Sequence, residues 1–419
     1  AAEVAATLGN MKGALMKLGQ MASYIDSGLP DPVRDTLAQL QQDAPPMAAD
    51  LAAGVVEREL GTPPDRLFAE WDPVPIAAAS IGQVHRAITR DGRAVAVKVQ
   101  YPGVDEAIAA DLANSDLIFG ILGLLFPGLE PGPLVGELRA RLVEELDYRL
   151  EARNQAHFAA YYRDHPFIHV PEVLPELSTG RVLTTELAVG SRLADIEATW
   201  SPEERSLAGE AIFRFVFRSL YRLHAFNGDP HPGNYLFRPG GRVTFLDFGL
   251  VKRFSPAEVD LFESMVRAIV LDRDAAAYRA ILEGAGVLKR DAPLTDEQVV
   301  GWFGHFYQPV RERRATTFTH EYARSTVQRI FSRQGDMARW GNVPPSFVII
   351  QRINLGLYAV LASLGATADW RGVAEELWPM TDAPGSTPLG REEEAWLRAT
   401  GKRRAAGGRR GGGHPGPAG

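Results

Sequence analysis

The chain has 419 residues, enough for two or three folded units, and 45% hydrophobic content supports a sizeable buried core. It contains no cysteine, which excludes disulfides, thiolate catalysis and cysteine-based zinc sites. The formal charge of -7, with bases interleaved among acids, gives no electrostatic footprint for a polyanion, so no nucleic-acid partner is expected.

Val4, Leu8, Met11, Leu15, Leu18 and Ile25 recur at helical spacing and predict an opening amphipathic helix that stops near Gly28 and Pro30. Asp31-Pro32 predicts an N-cap with proline in the first turn, launching a second helix toward Gln42. A third helix is expected over 48–60, ended by Gly61. After Pro75 the pattern changes. "ASIGQVHRAITRDGRAVAVKVQY" predicts two strands joined at Asp91-Gly92. In the second strand Val95, Val97 and Val99 share one face, and Lys98 shares the other with Ala94 and Ala96. A strand lysine taken alone most often faces solvent.

A long helix is expected over 133–162, where Leu138, Leu142, Leu146 and Leu150 stand four apart beside Glu144, Glu145, Asp147 and Glu151. In a regular helix Asp147 and Glu151 face one side and Glu145 the other, which makes Glu151 a strong candidate partner for Lys98. Two short strands around 168–170 and 181–187, with "STG" as the turn, lead to an expected joint at Glu186-Leu187-Ala188. From there the chain reads as mostly helical. The apolar run 117–126 has 10 residues against the roughly 20 needed to span a bilayer. The longer run "FVIIQRINLGLYAVLASLGA" holds Gln351, Arg352 and Asn354 at its centre, so both read as core helices. The end, assigned from 391, reads as a disordered, basic, glycine-rich tail.

Within the C-terminal half, "DPHPGN" (229–234) stands in a turn-rich loop before an apolar strand that ends in "LDFG". Asp229, Asn234 and Asp247 reproduce the spacing logic of a kinase catalytic loop and metal-binding strand end, and the strand lysine in "VAVKV" completes the set. Magnesium on a triphosphate needs hard oxygen ligands, supplied by Asp247 and Asn234. Asp229 is then placed to orient or deprotonate an attacking hydroxyl or water. ATP and Mg2+ are the expected cofactors.

"MKLGQMAS", "AAASIGQVHRA", "VAVKVQYPGV", "EELDYRLEARN", "DPHPGN" and "LDFG" together resemble the UbiB family of atypical kinases, associated with ubiquinone and other isoprenoid-lipid metabolism. The resemblance implies an α+β, protein-kinase-like, two-lobed fold. A helical extension would occupy 1–73, an N-lobe 74–187, a mostly helical C-lobe 188–390 and the tail 391–419. It makes Lys98 the nucleotide lysine, Asp229 the catalytic-loop aspartate, and Asn234 and Asp247 the metal ligands. Lys17 and Gln20 fall in the family's lysine-x-glycine-glutamine helix, a lid over the site, and Glu145 and Asp147 in its acid-x-acid motif. Ala77, Ala78, Ala79 and Ser80 stand where an ordinary kinase has a glycine-rich loop, which implies a shifted nucleotide preference and restrained kinase output. Glu186 is counted with the nucleotide-binding residues. An isoprenoid lipid or quinone precursor and a peripheral membrane contact are the implied partners. The implied location is cytoplasmic, at the inner face of a membrane, with no spanning segment.

Two departures bear on mechanism. Only "LVKRF" separates Gly249 from Ser255-Pro256, so the usual peptide-positioning segment is missing. Asn227, not histidine, stands two residues before Asp229, unlike the small-molecule phosphotransferases of the aminoglycoside or choline kinase type. Those remain the enzyme alternative, and a nucleotide-binding pseudokinase scaffold is the non-enzyme one.

Overall fold

The computed structural model describes residues 48–79, 81–104, 146–227, 231–331, 340–341 and 345–402. The two expected helices before residue 48, the apolar run 117–126, Lys17, Gln20, Ser80, Glu145, Asp229 and the stretch from 403 onward lie outside the described residues.

Alternation of valine with small residues builds an antiparallel sheet from β1 (Glu70–Ala79), β2 (Gly82–Ile88), β3 (Ala94–Gln100) and, beyond β4 (Ile168–His169), β5 (Val182–Glu186), in the order β1-β2-β3-β5. The β2–β3 hairpin closes around Gly92, whose φ of +87° suits glycine. Val95, Val97 and Val99 are fully buried against Val55, Val56, Phe68, Leu174 and Val182. Each such valine contributes roughly 1.5–3 kcal/mol over its exposed state. Val55 and Val56 belong to α1 (Ala49–Leu60), which ends at Gly61 in the left-handed conformation (φ 73°) with its N–H on Glu57 O. Residues 48–73 are therefore part of the sheet's own packing, and β1 starts at Glu70, inside the stretch assigned to a separate extension.

The helix expected over 133–162 is not continuous. Leu146 and Asp147 are non-helical, and α2 (Tyr148–Tyr161) starts afresh with Asp147 as N-cap, Arg149 N donating to its carboxylate at 3.0 Å. Nor do the strands flanking "STG" pair with each other. β4 runs parallel to a strand of another sheet, while β5 pairs with β3. Local sequence shows extended segments but not which distant edge they join.

The C-lobe is built round α3 (Pro202–Leu223), which is buried along most of its length. Ser201 caps its start and His224, at φ 48°, ends it, turning the chain into β6 (Ala225–Asn227). β7 (Tyr235–Arg238) and β8 (Arg242–Phe245) form a hairpin, and β8 also carries β4. β9 (Val251–Arg253) returns to pair with β6. The helices α4 (Pro256–Val266), α5 (Ala275–Gly284), α6 (Pro345–Leu364), α7 (Trp370–Leu377) and α8 (Pro388–Ala399) follow, with further helices over Asp296–Phe303 and His320–Phe331. No helix among the described residues is long and apolar enough to cross a membrane.

Helix α8 corrects the tail boundary. Residues 391–402 are folded, with Glu393, Trp396 and Leu397 buried and Trp396 Nε1 donating to Arg163 O at 3.2 Å. The charges of "REEEAWLR" suggest a solvated face, but Glu393 turns inward onto Arg214 and Arg218 of α3.

Candidate active site

The pleat of β3 sends Val97 and Val99 into the core and Lys98 to the opposite face. There Lys98 Nζ donates to both oxygens of Glu151 at 2.8 Å, lies 3.8 Å from Asp247 Oδ2, and sits 5.0 Å above the Tyr148 ring. Burial pulls the lysine toward its neutral form, but the Asp247 and Glu151 carboxylates outweigh it and hold the ammonium well above the usual lysine range. Glu151 is buried (7% exposed), whereas Asp247 is 38% exposed and presents its carboxylate to the open side.

Glu151 reaches Lys98 because α2 starts at Tyr148, placing Glu151 in its first turn. Asn154, one helical turn on, donates from Nδ2 to Phe248 O at 3.1 Å. Phe248 is fully buried against Phe158, 5.0 Å between ring centres. One helix thus sets the lysine partner and grips the residue after Asp247.

The β7–β8 hairpin brings the metal-type ligands together. Tyr235 pairs with Phe245, and Leu246 N donates to Asn234 O at 2.8 Å, so the ladder extends one step and Asn234 faces the residue before Asp247. Asp247 itself has φ 59°, a left-handed conformation that aspartate tolerates better than most residues. Gly249 N holds its Oδ1 at 3.0 Å, and Asn227 Nδ2 donates to its carbonyl at 2.8 Å. A half-exposed carboxylate beside an asparagine one register step away is a donor set that fits a hard divalent cation, and Lys98 fits phosphate oxygens.

The other expected residues fall differently. Asp147 caps α2 and makes no ion pair with Lys98. Glu186 ends β5 opposite Val95, three register steps from Lys98, and its carboxylate lies 3.3 Å from His169 Nε2. That contact lowers its pKa. Ala77, Ala78 and Ala79 are not a free loop: they are the end of β1, paired with Val84, Gln83 and Gly82. Their backbone is committed to the ladder.

Sequence reasoning missed Asn227, Asn154 and Gly82. The position of Asn154 three residues after Glu151 was a usable signal. In the sequence Asn227 marks only the absence of a histidine. Gly82 carries no local cue, because its constraint is tertiary: a Cβ there would meet Val99 O at 2.3 Å and the Tyr148 hydroxyl at 2.9 Å. Gly82→Ala should therefore push β3 or α2 away, at a cost of about 1–3 kcal/mol. Chemical denaturation would show the midpoint falling at unchanged m. Asn227→Ala should lower turnover by about 10–100-fold, as loss of a residue orienting a ligand does, while the stability loss stays near 1 kcal/mol. Steady-state kinetics beside thermal unfolding would separate the two effects.

The ABC1 atypical kinase-like domain matches residues 39–281. The chain is 36% identical over 270 residues to the atypical kinase COQ8B, mitochondrial, of Rattus norvegicus, covering 64% of this chain and 51% of that one. It is 28% identical over 387 residues to the atypical kinase coq-8, mitochondrial, of Caenorhabditis elegans, covering 89% and 50%. The chain spans about half the length of these relatives. Among solved structures, the Rv3197–erythromycin complex of Mycobacterium tuberculosis superposes with a TM-score of 0.68 at 33% identity, covering 91% of this chain and 96% of that one. With the family's domain matched over more than half its length, the chain belongs to the ABC1 atypical kinase-like family, the UbiB family, and has its protein-kinase-like α+β fold.

Proposed function

We propose that this protein is an ATP- and magnesium-dependent atypical kinase or ATPase that supports isoprenoid quinone or lipid metabolism. The observation that carries the reading is the Lys98 ammonium held between the buried Glu151 and the half-exposed Asp247 of the Asp-Phe-Gly turn. Lys98 would bind the α- and β-phosphates, and Asp247 and Asn234 would hold the metal. When bound, magnesium supplies charge neutralisation at the transferring phosphoryl group. Asp229, two residues beyond β6, would orient the attacking hydroxyl or water. Lys17 and Gln20 would lie over the site and exclude protein substrates, in keeping with the three-residue β9 that stands where a peptide platform would begin.

The relatives' names support a quinone-linked role over a small-molecule phosphotransferase of the aminoglycoside or choline kinase type. Membrane contact would be peripheral, with a lipid or quinone precursor as partner. The test is ATP hydrolysis by the purified chain, with and without magnesium, anionic liposomes and phenolic quinone precursors. Magnesium-dependent hydrolysis raised by liposomes or precursor is expected. Nucleotide binding with no turnover in any condition would leave the scaffold reading in its place.

A further inference from the structure

We infer that Arg253 is a positioning residue for the Asp247 carboxylate, acting through the side chain of Asn154. The inference rests on the nucleotide reading of the site and adds to it the group that holds the Asp-Phe-Gly turn in place. Arg253 ends β9, where its backbone pairs with Ala225 of β6. The strand after the turn is thereby fastened to the strand that leads toward Asp229. The Arg253 side chain is exposed, and its NH2 donates to Asn154 Oδ1 at 3.4 Å. Among the described residues no carboxylate pairs with this guanidinium, so its partner is a neutral amide. Burial first, and then the Arg253 charge, lower the pKa of His157, which places the guanidinium along α2 where Asn154 stands.

The carboxamide of Asn154 is what the arginine controls. Asn154 is 5% exposed and lies three residues after Glu151 on α2. A carboxamide has one accepting end and one donating end, whereas a guanidinium only donates. With its oxygen toward Arg253, the amide turns its Nδ2 to Phe248 O, at 3.1 Å. Turned over, it would set donor against donor and carbonyl against carbonyl. Arg253 therefore selects the orientation in which Asn154 grips Phe248. The Phe248 carbonyl lies one residue past Asp247, whose φ is 59° and whose own carbonyl is held by Asn227 Nδ2. Gly249 N holds the Asp247 Oδ1, leaving Oδ2 toward Lys98 at 3.8 Å. Fixing both carbonyls fixes the turn that aims this carboxylate. Groups one contact removed from a metal ligand set its orientation and its affinity.

Calorimetric titration of the full chain with ATP, in magnesium and in EDTA, tests the assignment. Magnesium should tighten ATP binding in the parent. Arg253→Leu should weaken binding in magnesium roughly 3–10-fold, the range that one hydrogen bond provides. Binding in EDTA, which depends on Lys98, should not change, and neither should the thermal midpoint of the free chain. Arg253→Lys, which keeps a donor, should recover part of the loss. Asn154→Leu should weaken binding in magnesium at least as much, and adding Arg253→Leu to it should bring no further loss, because the arginine acts through the amide. Three results overturn the inference and leave the nucleotide site standing: equal affinity in the parent and Arg253→Leu, an equal loss with and without magnesium, or losses that add in the double variant. A parent that binds no ATP in magnesium overturns the reading of the site, and the inference with it. Should Asn154→Leu fail to fold, Arg253→Leu and Arg253→Lys decide.

Discussion

Asp229→Asn is expected to leave nucleotide binding nearly intact while lowering turnover by about 10²–10⁴-fold, the range that a positioned general base contributes. The residue follows β6 by two positions, and β6 is anchored on both sides: Asn227 pairs with Val251 and bonds the Asp247 carbonyl. The proposed role concerns the nucleophile, not the phosphates, so the loss belongs in kcat. Asp247→Asn makes the contrasting expectation. It removes a charged ligand and one of two carboxylates facing Lys98, so magnesium-dependent nucleotide binding should fall by at least about 100-fold, since even ligand-supporting groups contribute about 10–100-fold. Titration by thermal shift in magnesium, set beside single-turnover hydrolysis, distinguishes the two. If Asp229→Asn weakens binding as steeply as turnover, Asp229 is a ligand or a structural residue.

The largest stability effect is expected at Arg214, which is fully buried in the centre of the C-lobe. Its guanidinium meets Glu210 at 2.8 Å, Glu376 at 2.7 Å, Glu393 at 2.9 Å and Thr387 Oγ1 at 3.1 Å. Arg218 adds Nε and NH2 contacts to Glu393, both at 3.0 Å. Arg214→Leu removes the guanidinium from three buried carboxylates, of which only Glu393 keeps a second arginine, Arg218, and removing one partner of such a set costs about 3–5 kcal/mol. That is a large part of the 5–15 kcal/mol typical of a domain. Pairing Arg214→Leu with Glu393→Gln should recover part of the loss, and a double-mutant cycle would measure the coupling.

The same cluster sets the acid limit. Burial disfavours the Glu393 carboxylate, but Arg218, His165 and Arg214 outweigh it and hold its pKa well below the usual range. A depressed carboxyl pKa contributes stability present above its unfolded value and lost as pH falls below about 4. His165 is also depressed, because burial disfavours its charged form more than Glu393, 3.6 Å away, favours it. The unfolded chain therefore takes up that proton first, and stability should begin to fall below about pH 6.5. Denaturant midpoints from pH 8 to 4 should decline in the parent, while the Arg214→Leu deficit shrinks toward acid as the carboxylates protonate. A deficit independent of pH would mean that lost packing, not charge, carries the effect.

Short-range sequence is enough for the local elements and the chemistry available to them. Alternating valines placed Lys98 on the face away from the core, Asp91-Gly92 made a hairpin, Gly61 stopped a helix, and Ser255-Pro256 started one. Each of these follows from backbone preferences or from period, which act over a few residues. The tertiary structure decided which acid meets the lysine. Regular-helix geometry already favoured Glu151, but the break at Asp147, which turns that carboxylate into a cap, appears only once Gln100 Nε2 bonds Leu146 O and Tyr148 N bonds Gly180 O. It also decided that Ala77–Ala79 are strand, because Gln83 and Gly82 arrive to pair with them. The charged stretch of α8 became core in the same way. A glutamate reads as solvated until two arginines far back in the chain, on α3, are folded against it. Burial depends on long-range contacts, and no window of neighbouring residues contains them.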